Sequence, residues 1–296
     1  MKKTVLFAAA IFTVSAVSAQ TGEITSAKGE NWLSQDGDWG LTFDAQPLLN
    51  YAGNLFNNGT NNNTIALNSL WGPGSTFGGA NRGIVIGGKK LIDANTAYRG
   101  RVRIGFGSQK RTEQVNANPQ PTPPPTPFAQ VDDTEKLSYL GITLGAGIEK
   151  RVGSTRVVGV YGAELDFSIG SSKSTYEYGN ALSAQNTLNA NVFGQGAGVT
   201  EVKNGSTFGI ALFGFAGVEW FAAPKISIGG EVSWGLGLSS QGIGETTSES
   251  FNTASNGVQS ITVEGTGGDE TADKTSSFTI DTGISGASIN VNFYFQ

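Results

Sequence analysis

The sequence predicts an all-β fold: an eight-stranded antiparallel up-and-down transmembrane β-barrel with short periplasmic turns and four long extracellular loops. Three observations carry that prediction. Apolar residues alternate with small or polar ones in stretch after stretch, the period of a strand whose two faces meet different surroundings. The connections between these stretches alternate strictly between short and long. No segment approaches the about 20 consecutive apolar residues of a membrane-spanning helix, which leaves a closed sheet as the way to cross a bilayer.

The first strand, Trp39 to Pro47, sets Trp39, Leu41, Phe43 and Ala45 against Gly40, Thr42, Asp44 and Gln46. The second, Gly83 to Leu91, has the weakest alternation, because Ile84, Val85 and Ile86 are consecutive. In the third, Ala97 to Gln109, Tyr98, Val102, Ile104 and Phe106 take one face and Arg99, Arg101, Arg103 and Gly105 the other. The fourth and fifth, Leu137 to Arg151 and Arg156 to Ile169, set Leu140, Ile142, Leu144 and Ile148 against Thr143, Gly145, Gly147 and Glu149, then Tyr161, Leu165 and Phe167 against Glu164, Asp166 and Ser168. The sixth and seventh run from Thr207 to Phe221 and from Ile226 to Leu238. These two pairs form an internal repeat: Gly147-Ile148-Glu149 matches Gly217-Val218-Glu219, and Gly162-Ala163-Glu164-Leu165 matches Gly229-Gly230-Glu231-Val232. Repeated hairpins suit a meander. The last strand alternates Ile289, Val291, Phe293 and Phe295 with Ser288, Asn290, Asn292 and Tyr294, and its phase shifts around Gly283 to Gly286, which predicts a bulge.

Asp93 to Thr96, Val152 to Thr155 and Ala222 to Lys225 read as turns. Asn50 to Arg82, Lys110 to Glu135, Gly170 to Ser206 and Gln241 to Ser276 read as long polar loops, Asn-rich at 57–63, proline-rich at 119–127 and acidic at 265–273. Four structureless loops of that size are rare in a soluble domain, whereas outer-membrane barrels place such loops outside the cell.

Residues 1–19 read as a signal peptide, with Lys2 and Lys3 ahead of an apolar run and cleavage after Ala19. Residues 20–37 then form a periplasmic N-terminal segment and 38–296 the barrel domain. The 296 residues hold no cysteine and no histidine, which excludes disulfides, a lipid-bearing cysteine and Cys/His zinc sites. With Lys2 and Lys3 removed, 17 basic residues face 24 acidic ones, a net charge near −7 that makes a poor nucleic-acid binder.

An arginine facing lipid near mid-bilayer costs about 2–4 kcal/mol, so Arg99, Arg101 and Arg103 are expected to point inward. With Glu149, Glu164, Asp166, Glu219 and Glu231 they form a predicted lumen ion-pair network, given room by glycines 105, 145, 147, 217, 229 and 235. Trp39, Tyr98, Trp220, Phe221, Phe293 and Phe295 lie at periplasmic strand ends and are expected to form an aromatic girdle; Trp234, Phe106, Phe167 and Phe208 lie higher.

With these features in hand, the chain resembles the small outer-membrane β-barrel families, such as the OmpA transmembrane domain, OmpX and porin-family barrels. The resemblance covers about residues 38–296 and rests on pattern, with Gln296 following the terminal aromatic Phe295. An OmpA-type periplasmic domain after the barrel is not expected from these residues, and peptidoglycan anchoring is not part of the resemblance. The resemblance implies a Gram-negative outer-membrane location, contact with lipid and lipopolysaccharide, and insertion by the barrel-assembly machinery.

Catalysis is not expected, since barrel enzymes that cleave lipid or peptide bonds need a histidine base, and Glu164 with Asp166 read as structural. No cofactor or metal site is expected; the acidic loop with Glu245, Glu249, Glu264, Asp269, Glu270, Asp273 and Lys274 lacks EF-hand spacing. Asn58-Gly59-Thr60 and Asn62-Asn63-Thr64 fit the glycosylation pattern but read as turn-rich loop. The proline run reads as a stiff exposed loop tip. The leading expectation is a non-enzymatic barrel with a structural or surface-interaction role through its loops, accessory to an envelope partner that the residues do not identify. The alternatives are a narrow porin-like channel and a secreted soluble β-sandwich.

Overall fold

The computed structural model describes residues 24–44, 86–153, 155–265 and 274–296, without the side chains of 44 and 281–287. The expected signal peptide, the ends of the first two predicted strands nearest loop 50–82, that loop with its asparagine-rich stretch, and Asp269, Glu270 and Asp273 lie outside the described residues.

The fold is all-β and antiparallel: β1 (Trp39–Asp44), β2 (Ile86–Asp93), β3 (Thr96–Asn116), β4 (Gln130–Val152), β5 (Val157–Glu177), β6 (Val199–Ala223), β7 (Ile226–Gln241), β8 (Glu245–Asn252), β9 (Gly257–Glu264) and β10 (Thr275–Phe295). Among the described residues no helix is long and apolar enough to cross a membrane. Strands β1 to β7 each pair with the next, β7 pairs with β10, and β10 pairs with β1, so eight strands close a ring. The two remaining strands, β8 and β9, form a hairpin outside the ring, attached to the outer extension of β6.

The ring has a short-turn end and a long-loop end. Outward side chains of β6 alternate from Trp220 through Val218 and Leu212 to Phe208, each exposed, while Phe221, Glu219, Phe215, Phe213 and Ala211 between them are buried. The same alternation runs through β3, where Phe106 is 77% exposed, through β5 and β7, and through residues 288–295 of β10. Beyond Phe106, Ile169 and Leu238 the outward face turns polar at Ser108, Ser171 and Ser240. In β10 the register breaks between Asp281 opposite Gly235 and Gly286 opposite Ser233, at the expected bulge.

The long connections are more ordered than expected. Strands β3 and β4 continue ten pairs past Phe106–Leu140 to Asn116–Gln130, so much of 110–135 is strand. Only 117–129 forms the tip, which Gln120 pins by bonds to Ala117 O (2.9 Å) and Ala129 O (3.0 Å). Strands β5 and β6 likewise extend to Glu177 and from Val199, and the β8–β9 hairpin lies within 241–276. These extensions carry polar side chains on both faces, so they lack the apolar period that marks a strand in sequence.

At the short-turn end, residues 24–38 fold back across the mouth. Leu33 is buried among Leu91, Ala97, Val158, Val160, Phe221 and Tyr294, with Ile24 and Trp32 against them. Gly37 N donates to Leu91 O (3.2 Å) and Leu91 N to Asp38 O (2.9 Å). Lys225 takes a left-handed φ of 61° in the β6–β7 turn, unfavourable for a residue with a side chain. The capping segment holds it there: its N–H donates to Trp32 O (3.0 Å) and its ammonium pairs with Asp38.

Candidate functional site

Directly above this apolar seal lies a buried ionic layer. Each member sits at an inward position of its strand, and the ring brings together residues far apart in sequence. Lys89 on β2 contacts Glu149 Oε2 (2.8 Å) on β4 and Glu219 Oε1 (2.6 Å) on β6. Arg151 bridges the same two carboxylates, at 2.7 Å to Glu149 and 2.8 Å to Glu219. Glu219 also accepts from Tyr294 OH (2.8 Å) and Asn292 Nδ2 (3.3 Å) on β10, and from Ser227 Oγ (3.3 Å) on β7. Its two oxygens are thereby satisfied by five donors, the condition under which a buried charge is tolerated.

A second tier stands toward the long-loop end. Arg99 reaches Glu231 (2.8 Å), Glu164 (3.0 Å) and Glu149 (3.4 Å), and its guanidinium stacks 4.0 Å from the Phe215 ring centre. Arg101 pairs with both Glu164 and Asp166. Arg103 occupies the next inward position, opposite Thr143.

Glycines make this crowding possible. A Cβ at Gly145 would lie 2.7 Å from Arg101 Cγ and 2.7 Å from Glu164 Oε1. Gly147 stands opposite Glu164, and Gly217 opposite Glu231; at each a Cβ would meet the glutamate's Cα at 3.0 Å. The internal repeat thus has a physical content. Each copy places one glutamate in the inner tier and a glycine that leaves room for a second glutamate across the hairpin.

Of the sequence-expected residues, Arg99, Arg101, Glu149, Glu164, Asp166, Glu219 and Glu231 meet in this network, with Arg103 on the same wall. Sequence reading missed Lys89, Arg151, Ser227, Asn292 and Tyr294. Lys89 and Arg151 each adjoin another cation, Lys90 or Lys150, so charge alone does not choose the face; two-residue spacing from Glu149 identifies Arg151.

Trp39, Tyr98, Trp220, Phe293 and Phe295 stand exposed on the outward face near the short-turn end. The placement of Phe221 in that girdle is corrected: it is 0% exposed and packs inward, ring centre 5.8 Å from Tyr294. Adjacent strand residues point to opposite faces, so Trp220 and Phe221 cannot both face out. The four higher aromatics, Trp234, Phe106, Phe167 and Phe208, also face outward.

The long-loop end carries a separate polar superstructure. Residues 178–198 are tied to the β3–β4 tip by Asn118 N to Asn180 Oδ1 (2.7 Å) and to β8 by Phe251 N to Thr187 O (2.8 Å). Burial raises the Tyr178 phenol's pKa, and its OH donates to Val199 O (2.6 Å). Glu245 of the acidic segment pairs with Lys203 (3.0 Å) in a chain running through Glu201 to Lys173. Burial acts to raise the Glu201 carboxyl, but hydrogen bonds and charge from Lys173 and Lys203 outweigh it and hold the group below its ordinary value. Among the described residues no cluster of three or more potential ligands is placed to hold a metal ion.

Comparison with protein-family models, with curated proteins and with solved structures finds no match for this chain.

Proposed function

We propose that this chain is a non-enzymatic β-barrel of the bacterial outer membrane, sealed to solutes, that presents its long-loop end as a structural and interaction surface outside the cell. The carrying observation is a closed strand ring whose outward face is an exposed apolar belt and whose interior is filled with paired charge. A closed ring satisfies every ladder hydrogen bond without an edge, as a hydrocarbon environment requires. On β6 the belt runs from Phe208 to Trp220; twelve residue steps at a tilt of about 40° span about 30 Å, close to the hydrocarbon thickness. So large an apolar surface is foreign to a soluble monomer.

The interior argues for a plug over a conduit. Among the described side chains the inward cations Lys89, Arg99, Arg101, Arg103 and Arg151 stand among an equal number of carboxylates, Glu149, Glu164, Asp166, Glu219 and Glu231, and the ion pairs between the two sets occupy the lumen. Eight strands enclose little more than side chains, and the capping segment closes the mouth below with Leu33. Planar-bilayer recording of protein whose insertion is verified by heat-modifiable gel migration tests this. The plugged barrel gives no discrete conductance steps; stable steps that change with Arg101→Ala or Arg103→Ala establish the channel instead.

A further inference from the structure

Strand β9 pairs with β8 on one side, and among the described residues nothing pairs with its other edge. Gly257 to Val263 contains no charge and no proline, and Val258 to Thr262 are all exposed, Ile261 at 60%. Proteins ordinarily blunt such an edge with lysine, proline, a bulge or a cover. Here the hairpin is instead held firmly: Glu249 N donates to Gly198 O (2.7 Å), Thr246 Oγ1 to Gly265 O (2.9 Å), and Lys203 pairs with Glu245 (3.0 Å). An anchored edge that is uncharged from Gly257 to Val263 and unpaired among the described residues is a template for strand addition.

We infer that β9 binds β9 of a second copy of this chain, antiparallel, joining copies that stand in two facing membranes. Antiparallel pairing about a two-fold axis at Ile261 sets Ile261 against its counterpart, Ser260 opposite Thr262, Gln259 opposite Val263, and Glu264 opposite Val258. In-register parallel pairing would instead stack Glu264 on Glu264, and like charges directly opposite are destabilising. Direction then fixes the assembly. Strand β8 runs antiparallel to both β6 and β9, so β9 runs with β6 and hence along the ring. Antiparallel β9 strands therefore belong to copies pointing in opposite directions. In the proposed orientation, which this inference rests on, their long-loop ends meet between two membranes, and the chain acts as a homotypic adhesin.

The chain has no cysteine, so a thiol introduced at 261 is unique. Full-length protein is reconstituted into two populations of phospholipid vesicles, with insertion checked by heat-modifiable migration. The wild type clusters the vesicles, and Ile261→Cys gives disulfide-linked dimers on mixing, with copper–phenanthroline and air as the oxidant. Vesicles of Ile261→Lys alone or Ile261→Glu alone stay dispersed, while mixing the two restores clustering, a rescue available only if position 261 meets itself. Dispersed wild-type vesicles with inserted protein and no linked dimer overturn the inference while leaving the barrel reading intact. Dimers formed in detergent but never between vesicles overturn the facing-membrane arrangement, and failure to insert overturns the barrel reading.

Discussion

Replacing Glu219 by glutamine keeps the side chain's size and removes the charge on which two buried cations converge. Lys89 (2.6 Å) and Arg151 (2.8 Å) are then left with Glu149 as their shared inner-tier carboxylate, and three further donors, from Tyr294, Asn292 and Ser227, lose a charged acceptor. Breaking a buried pair by removing one partner costs about 3–5 kcal/mol, because the remaining charge stays desolvated. The mutant is therefore expected to lose about 3–5 kcal/mol in urea unfolding of vesicle-reconstituted protein, followed by tryptophan fluorescence. Lys89→Met should cost a similar amount alone, and the double mutant less than the sum by about 1–3 kcal/mol, the signature of groups in one network. A loss below about 1 kcal/mol for Glu219→Gln, additive with Lys89→Met, would refute the network's role in holding the ring together.

Gly217→Ala should destabilise by about 1–3 kcal/mol, since its Cβ would meet the Glu231 backbone, and the temperature of the heat-modifiable gel shift reads the loss. Leu33→Ala should cost about 2 kcal/mol or more and release the capping segment, detected as faster protease cleavage within residues 24–38 of detergent-solubilised protein. The Glu201 carboxyl is held below its ordinary 4.5, so its contribution is present above pH 4.5 and is lost as pH falls from there through the folded-state value. Amide protection at Val202 and Lys203, measured relative to the intrinsic exchange rate at each pH, should therefore fall on acidification, and Glu201→Gln should remove that pH dependence.

The ring was legible in the sequence wherever its two faces differ in polarity. Arg99, Arg101 and Arg103 among Tyr98, Val102 and Ile104 disclosed the inward face because charge and apolarity alternate there, interrupted only by Gly100. The same logic fails where both faces are polar, which is why the outer halves of β3 to β6 and the β8–β9 hairpin read as loop. It fails again at strand ends with like neighbours: Lys89–Lys90 and Lys150–Arg151 offer two equal cations, and Trp220–Phe221 two aromatics, so three-dimensional pairing must decide which points in. The capping role of residues 24–38 had no local signature. It depends on Leu33 meeting Phe221 and Tyr294, contacts across roughly 190 and 260 residues of chain whose closure only the completed ring makes possible.

In the proposed barrel, alternate residues of the ring face lipid and a sealed interior. Single cysteines placed in turn from Phe208 to Trp220 on β6, spin-labelled in reconstituted protein, test it most directly. Outward positions such as Leu212 and Val218 should be reached by lipid-soluble oxygen and inward ones such as Ala211 and Glu219 by neither oxygen nor an aqueous nickel complex, with a period of two. Aqueous reagent reaching the outward positions would contradict membrane insertion, and aqueous reagent reaching 211 to 219 from within would contradict the seal.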